Sequence, residues 1–191
     1  MTTYLDRGLT FLNTRGHRAA LTVYLVIVLA HLAEHAAQAI QIWGLGRPVP
    51  ESRGVLGTWF PWLVTSEALH YGYAIIMLVA FILLRPGFSG PARMWWDIAL
   101  GIQVWHHFEH LILLIQAQSG VHLLGREVPT SIIQLLVPRV ELHLFYNTVV
   151  FIPMVVAMVL HRRPDPSHAA PMCTCARPRL QARVADGRSP A

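Results

Sequence analysis

Four short polar clusters interrupt segments that are otherwise apolar enough to cross a membrane. Their sequences are HLAEH (31–35), EALH (67–70), HHFEH (106–110) and ELH (141–143). Each cluster supplies at least one carboxylate and one imidazole, which are oxygen and nitrogen donors for transition-metal ions. Ionisable groups are costly to place in lipid, so those inside membrane segments usually belong to a functional site. The clusters therefore predict an intramembrane metal site.

Every candidate metal ligand lies inside one of the four predicted membrane helices. They are His31, Glu34, His35, Glu67, His70, His106, His107, Glu109, His110, Glu141 and His143. At about 1.5 Å per helical residue, the first three clusters lie at one common depth, roughly 18 to 26 Å from the same membrane face. The fourth cluster lies slightly farther from that face. Unrelated buried residues would have no reason to share a level, so the common depth strengthens the prediction of one site.

Helical geometry indicates which of these side chains can meet. In HLAEHAAQ (31–38), the polar residues follow the i, i+3, i+4 and i+7 spacing and form one stripe. Such a stripe must face the interior of the bundle. The segment QVWHHFEH (103–110) carries an equivalent stripe on the third predicted helix. His107 and Glu109 lie on opposite flanks of it, so one of them is expected to support a ligand rather than bind the metal.

The two remaining clusters differ in geometry. Glu67 and His70 are spaced i, i+3 and can share a metal ion, as the Glu-x-x-His pairs of bundle-core di-iron sites do. Glu141 and His143 point about 200° apart on a regular helix, so at most one of them binds the metal directly. His143 is slightly favoured because further polar residues share its face. Either residue alone could instead be an interhelical hydrogen-bond partner.

The composition is that of a small integral membrane protein. Of 191 residues, 54% are hydrophobic and 13% are charged, against roughly 25% charged residues in soluble domains. Apolar stretches cover about 19–43, 61–84, 94–118 and 138–160, and each has roughly the 20 residues that a membrane-spanning helix needs. We therefore expect an all-α, integral membrane four-helix bundle. The run 131–137 could lie in the interface or extend the fourth helix, and the pattern leaves both open.

Three regions are predicted along the chain. An N-terminal segment at 1–18 precedes the four-helix transmembrane bundle at 19–161, and a tail follows at 162–191. Arg residues concentrate beside one membrane face, so the positive-inside rule places the N-terminus and the C-terminus in the cytoplasm. The basic flank and the first apolar run also resemble a signal peptide, but the polar residues at 31–35 favour a retained helix.

The tail is rich in Pro, Arg, Ala and Ser, which predicts a disordered extension, although its Cys173 and Cys175 could hold a soft metal.

Tryptophans near the helix ends are expected to form an interfacial belt. They are Trp59, Trp62, Trp95 and Trp96.

The clusters also invite a comparison with known families. HLAEH (31–35) and HHFEH (106–110) resemble the histidine boxes of membrane di-iron desaturases and hydroxylases. One Glu on each helix, together with the Glu67-x-x-His70 pair, resembles the ferritin-like di-iron plan, in which four helices supply carboxylates and histidines. These resemblances imply a di-iron centre that activates oxygen or transfers electrons.

We therefore expect a membrane metalloprotein with a His/Glu site, in the first instance for two iron ions, that acts as an oxidoreductase on a lipophilic substrate. Zinc, copper or manganese suit the same donors. Haem is disfavoured because it would leave four buried Glu residues without partners. A metal-ion or proton-coupled transporter, a transmembrane b-type cytochrome and a purely structural protein remain open. The expected partners are the lipid bilayer of a cytoplasmic-type membrane and an electron-donor protein, with no nucleic acid.

Overall fold

The regular structure of the chain is helical. A computed structural model describes residues 4–163 and Cys175. Within these residues the α-helices are α1 (Tyr4–Asn13), α2 (His17–Ala39), α3 (Leu56–Trp59), α4 (Trp62–Thr65), α5 (Glu67–Leu84), α6 (Gly90–Ser119) and α7 (Arg139–Arg162). A π-helical turn, Ile40–Gly44, continues α2, and 3₁₀ turns occur at Val49–Glu51, Arg85–Gly87, Leu123–Gly125 and Ile133–Leu135. The all-α prediction is confirmed for the part of the chain described.

Four helical segments in the described chain are long and apolar enough to cross a membrane. They are His17–Gly44, Glu67–Gly87, Gly90–Ser119 and Arg139–Arg162. These segments correspond to the four apolar stretches of the sequence, so the prediction of four membrane-spanning helices is confirmed by length and composition. The described part of the chain thus has the helices of a membrane protein.

The predicted start of the second membrane helix, residue 61, is wrong. Residues Trp62–Thr65 form the separate helix α4, Ser66 has an extended ψ of 109°, and α5 begins at Glu67. The Ser66 hydroxyl accepts the Leu69 N–H at 3.4 Å. Serine in this position satisfies a backbone donor that the first helical turn leaves free. Local capping therefore ends one helix and starts the next within a continuous apolar run.

The start of the fourth helix agrees with the sequence prediction. Helix α7 begins directly after Pro138, whose carbonyl accepts the Leu142 N–H at 3.0 Å. The preceding apolar run does not extend this helix, since Ile133–Leu135 forms a separate 3₁₀ turn. The alternative that the sequence left open for 131–137 is thus decided against a longer α7.

The chain packs as two compact units, and the first has an aromatic core. This unit comprises 4–26, 79–101, 151–163 and Cys175 of the described residues. The Trp96 indole is fully buried, stacks on Phe88 with 4.2 Å between ring centroids, and donates its N–H to the Phe81 carbonyl at 2.9 Å. A buried indole needs such a partner for its N–H. The prediction of an interfacial position is wrong for Trp96, although Trp59 and Trp62 are exposed.

The second unit comprises 27–78 and 102–150, and its loops are held by side chains from the long helices. The Gln41 amide exchanges two hydrogen bonds with the backbone of Gly54, at 2.9 and 3.0 Å. The Gln116 side chain donates to the Thr130 carbonyl at 2.9 Å and accepts the Leu123 N–H at 2.8 Å. Buried loop backbone groups must find partners in this way. The loops are therefore fixed parts of the unit.

Two predicted regions lie at the edges of the described chain. Helix α1 falls inside the predicted N-terminal segment 1–18, and its apolar residues Tyr4, Leu5 and Phe11 are exposed. The predicted tail 162–191 lies outside the described residues except for 162, 163 and Cys175, and Cys173 is also outside them. The cytoplasmic location of both ends stays a prediction.

Candidate metal centre

Six histidines of the second unit lie together. They are His31, His35, His70, His106, His110 and His143, here called the histidine cluster. The ring centroids are 4.5 Å apart for His31 and His35 and 4.6 Å apart for His106 and His110. His143 connects the two pairs, at 5.4 Å from His35 and 5.3 Å from His110, and His70 lies 6.1 Å from His110. Helices α2, α5, α6 and α7 each contribute, as the sequence predicted.

Three rings of the histidine cluster are oriented by hydrogen bonds at Nδ1. The Nδ1–H of His35 donates to the Gln38 amide oxygen at 2.8 Å. His70 donates to the Ser66 carbonyl at 2.9 Å, and His143 to the Arg139 carbonyl at 2.8 Å. Since these acceptors are oxygens, the proton must lie on Nδ1 and the lone pair on Nε2. Metal-binding histidines commonly have this arrangement, in which an oxygen fixes the tautomer and the ring.

Several ring nitrogens in the histidine cluster are buried and lack a hydrogen-bond partner within the described part of the chain. They are Nε2 of His143 and Nδ1 of His106 and His110. Buried polar atoms normally have a partner, so each exception needs an explanation such as an ion. Imidazole is a suitable ligand for transition metals, so these nitrogens are candidate ligand atoms.

The rings of His31 and His35 are in direct contact through their Nε2 atoms. Their Nε2 atoms are 3.1 Å apart. Because the proton of His35 is on Nδ1, its Nε2 presents a lone pair to the other ring. Two nitrogens on one tetrahedral ion lie roughly 3.4 Å apart when each metal–nitrogen bond is about 2.1 Å. The observed separation is shorter than this and is that of an N–H···N hydrogen bond, so the two rings bind each other directly.

The candidate carboxylates Glu34 and Glu67 have protein partners. Glu34 accepts the Gly57 N–H at 2.9 Å and so connects α2 to α3. Just before α3, Gly54 has φ +74°, and a side chain there would overlap the Glu34 carboxylate. Both oxygens of Glu67 accept hydrogen bonds from the Arg139 guanidinium, at 2.5 and 2.9 Å. These contacts give each carboxylate a role in holding the protein framework.

The two other carboxylates differ in burial. Glu109 is 3% exposed, accepts a short hydrogen bond from the Ser131 hydroxyl, and accepts the Ile133 N–H at 3.2 Å. It therefore fixes the loop between α6 and α7. Glu141 is exposed, whereas His143, two residues later, is 5% exposed. Between those two candidates, the structure brings His143 and not Glu141 into the histidine cluster.

His107 lies on another face of α6. Its ring packs against Tyr71 with 5.1 Å between centroids, while the neighbouring His106 packs against Tyr146 at 4.4 Å. The sequence predicted that either His107 or Glu109 would support a ligand rather than bind directly. In the structure both lie beside the histidine cluster, one against a tyrosine and the other on a loop.

An apolar cavity adjoins the histidine cluster and is here called the side cavity. Its volume is 530 Å³, within the range of about 300 to 1,000 Å³ typical of small-molecule sites. His31, His35 and His70 line it, together with Tyr73, whose ring stacks on His31 at 3.8 Å. Exposed apolar residues such as Ile76 form part of the wall, so the cavity opens at the surface of the unit.

No protein-family model, curated protein or solved structure matches this chain. The chemistry of the centre is therefore the basis for any functional assignment. Its donors are imidazoles, its carboxylates are bonded to loops or to Arg139, and an apolar cavity adjoins it.

Some contributing residues could not be identified from spacing. Arg139, Ser131 and Gly57 hold the carboxylates, but nothing in their local sequence connects them to a distant Glu. A further group, formed by His17, His161 and Cys175, has three ligand atoms that all lie within 4.8 Å of one another. Its members come from distant parts of the chain, so no motif indicates it.

Replacing Glu34 or Glu109 by Gln is expected to leave any metal held by the histidine cluster unchanged. Each Gln keeps a side-chain oxygen that can accept the Gly57 or Ile133 N–H, so the loops stay in place. Metal content per chain, measured by mass spectrometry on purified variants, checks the expectation. Loss of half or more of the metal in either variant would identify that carboxylate as a ligand.

Proposed function

We propose that the protein is a membrane oxidoreductase in which the histidine cluster holds two iron ions and acts on a lipophilic substrate in the side cavity. One observation carries the proposal: His35, His70 and His143 donate Nδ1–H to oxygens, which places their ring lone pairs on Nε2, and the first two of these residues also line the apolar side cavity. When bound, iron would supply the oxygen-activating or electron-transfer chemistry.

The choice of iron rests on ligand chemistry and on the resemblance to histidine boxes. Imidazole suits iron, copper and zinc, whereas manganese prefers carboxylates and water. The carboxylates are engaged elsewhere, which favours a centre made of imidazoles. Iron and copper are the redox-active members of that group, and membrane di-iron enzymes with histidine boxes use iron.

The residues around the side cavity have separate roles in this proposal. Ile76 and the other apolar residues of the wall would bind the hydrocarbon part of the substrate and exclude water. The Tyr73 hydroxyl is buried and has no hydrogen-bond partner within the described chain. It would donate a hydrogen bond to a substrate oxygen and so orient the substrate. A hydrophobic substrate would enter from the bilayer, where its concentration is highest.

The cellular setting is part of the proposal. We infer that both termini lie in the cytoplasm, because Arg residues concentrate beside that face of the predicted helices. An oxidoreductase of this kind needs electrons from outside the bundle, which an electron-donor protein would deliver. The partners proposed are thus the bilayer and that donor.

Metal analysis of the full chain in mild detergent tests the proposal directly. Two tightly bound irons per chain without a haem Soret band are expected. A Soret band would instead identify a b-type cytochrome. Weak, rapidly exchanging metal would identify a transporter, and the absence of stoichiometric metal would leave a structural role.

Filling the side cavity is expected to block access for lipophilic molecules while sparing the metal. A Cβ built at Gly72, which lines the cavity, would meet nothing within 4 Å, so Gly72→Leu can be accommodated. Labelling by a photoreactive fatty alcohol should fall at least tenfold at peptides of the cavity wall. Mass spectrometry of the labelled peptides measures this fall in labelling.

Gly101→Leu is the matched control for this experiment. Gly101 also lies within a long helix with open space at its Cβ, but it does not line the side cavity. Its labelling should equal that of the wild-type protein. If the cavity wall of Gly72→Leu is labelled as strongly as that of the wild-type protein, the substrate assignment is contradicted, whatever the metal content of the variant.

A further inference from the structure

A second cluster of metal-ligating side chains lies in the first unit, separate in sequence from the four polar clusters. His17 begins α2, His161 lies in the last turn of α7, and Cys175 follows in the chain beyond α7. The Nδ1 atom of His17 is 3.2 Å from Nε2 of His161 and 3.6 Å from Sγ of Cys175. His17 is 0% exposed and His161 is 5% exposed.

These separations are those of three ligands on a single ion. With metal–nitrogen bonds of about 2.1 Å and a metal–sulfur bond of about 2.3 Å, tetrahedral coordination places two nitrogens roughly 3.4 Å apart and nitrogen and sulfur roughly 3.6 Å apart. The observed values, 3.2 and 3.6 Å, lie close to both. All three ligand atoms fall within 4.8 Å of one another.

The surroundings of His17 hold its ring in the orientation that a metal requires. Its Nε2 lies 3.3 Å from the Leu84 carbonyl, so this nitrogen carries the proton and Nδ1 presents the lone pair. A backbone carbonyl on the second ring nitrogen is a common feature of metal-bound histidine. Gly87 packs directly against the ring, and a side chain there would overlap the imidazole.

We propose that His17, His161 and Cys175 form a second metal site, which binds one ion of the Zn²⁺ or Cu⁺ class. A thiolate combined with imidazoles suits these borderline and soft ions, whereas the all-imidazole histidine cluster has no sulfur donor. The ion would join the start of α2, the end of α7 and the chain at Cys175. The proposal does not depend on the function of the histidine cluster.

Co²⁺ added to the metal-depleted full chain in detergent tests the site, because a cobalt–thiolate bond gives a sulfur-to-metal charge-transfer absorption that imidazole ligands do not give. One Co²⁺ per chain is expected to develop this band, and added Zn²⁺ should remove it. Cys175→Ser should abolish the band, and His161→Ala should weaken Co²⁺ binding at least tenfold. Metal analysis of the protein as purified then distinguishes zinc from copper.

Cys173→Ser is the matched control, since it removes a thiol two residues away and should keep the band at full intensity. Persistence of the band in Cys175→Ser would overturn the proposal, as would a wild-type protein without a charge-transfer band. Thermal unfolding of each variant shows that the fold is retained. A negative result in this cobalt experiment says nothing about the metal content of the histidine cluster, so the two sites are tested separately.

Discussion

His143→Ala is expected to empty the proposed metal centre. His143 lies within 5.3 to 6.2 Å, between ring centroids, of His35, His110, His106 and His70, so its removal opens the middle of the histidine cluster. Loss of a direct ligand should weaken metal binding roughly 100-fold or more, beyond the losses of about 10- to 100-fold that follow from removing a ligand's supporting contact. Metal content after dialysis against a weak chelator measures the effect.

His107→Ala is the control for this prediction. His107 occupies the same membrane helix as His106 but packs against Tyr71, so its removal should leave the metal in place. Thermal unfolding of both variants excludes global unfolding as the cause of metal loss. Full metal content in His143→Ala, or equal loss in the two variants, would contradict the assignment of the histidine cluster.

Arg139→Ala is expected to produce the largest loss of stability, about 3 kcal/mol. The Glu67 side chain is 10% exposed and both its oxygens bind the Arg139 guanidinium. Removing one partner of a buried ion pair leaves an uncompensated charge and costs about 3 to 5 kcal/mol. We choose the lower end because the Arg139 side chain is 37% exposed. Unfolding followed by circular dichroism in detergent measures the change.

The Arg85–Asp97 pair provides a matched comparison. Its geometry is equally close, at 2.6 Å, but its side chains are 38% and 36% exposed. Exposed pairs contribute about 0 to 1 kcal/mol, so Arg85→Ala should destabilise the protein far less. The double variant Glu67→Gln, Arg139→Met should recover most of the lost stability, because it leaves no unpaired charge. Equal effects of Arg139→Ala and Arg85→Ala would refute this account.

Much of the architecture follows from local sequence patterns. Runs of apolar residues at helical length predict the four long helices, and the spacing in 31–38 and 103–110 predicts which faces turn inward. The gathering of His31, His35, His70, His106, His110 and His143 follows from those faces and from the common depth of the clusters. Helical periodicity is a short-range property, so sequence alone reveals it.

The roles of the carboxylates could not be predicted in the same way. Glu67 has the spacing of a metal ligand relative to His70, but Arg139, 72 residues later, occupies both its oxygens. Glu109 likewise bonds to Ser131 across a loop. Such pairings depend on how distant segments meet, which residue spacing does not encode. The buried position of Trp96 likewise depends on a distant partner, because the Phe81 carbonyl that accepts its N–H belongs to another helix.

The hydrogen bonds that orient His35, His70 and His143 have a consequence for how the proposed metal centre would be loaded. Each acceptor lies three or four residues before or after its histidine, so local backbone structure fixes the ring orientation. Small zinc domains, by contrast, fold only when metal arrives. A chelator-stripped sample should therefore keep its helical content and regain full metal occupancy on simple readdition, without denaturation and refolding. Delivery of the ion in the cell would then be a late step that follows membrane insertion.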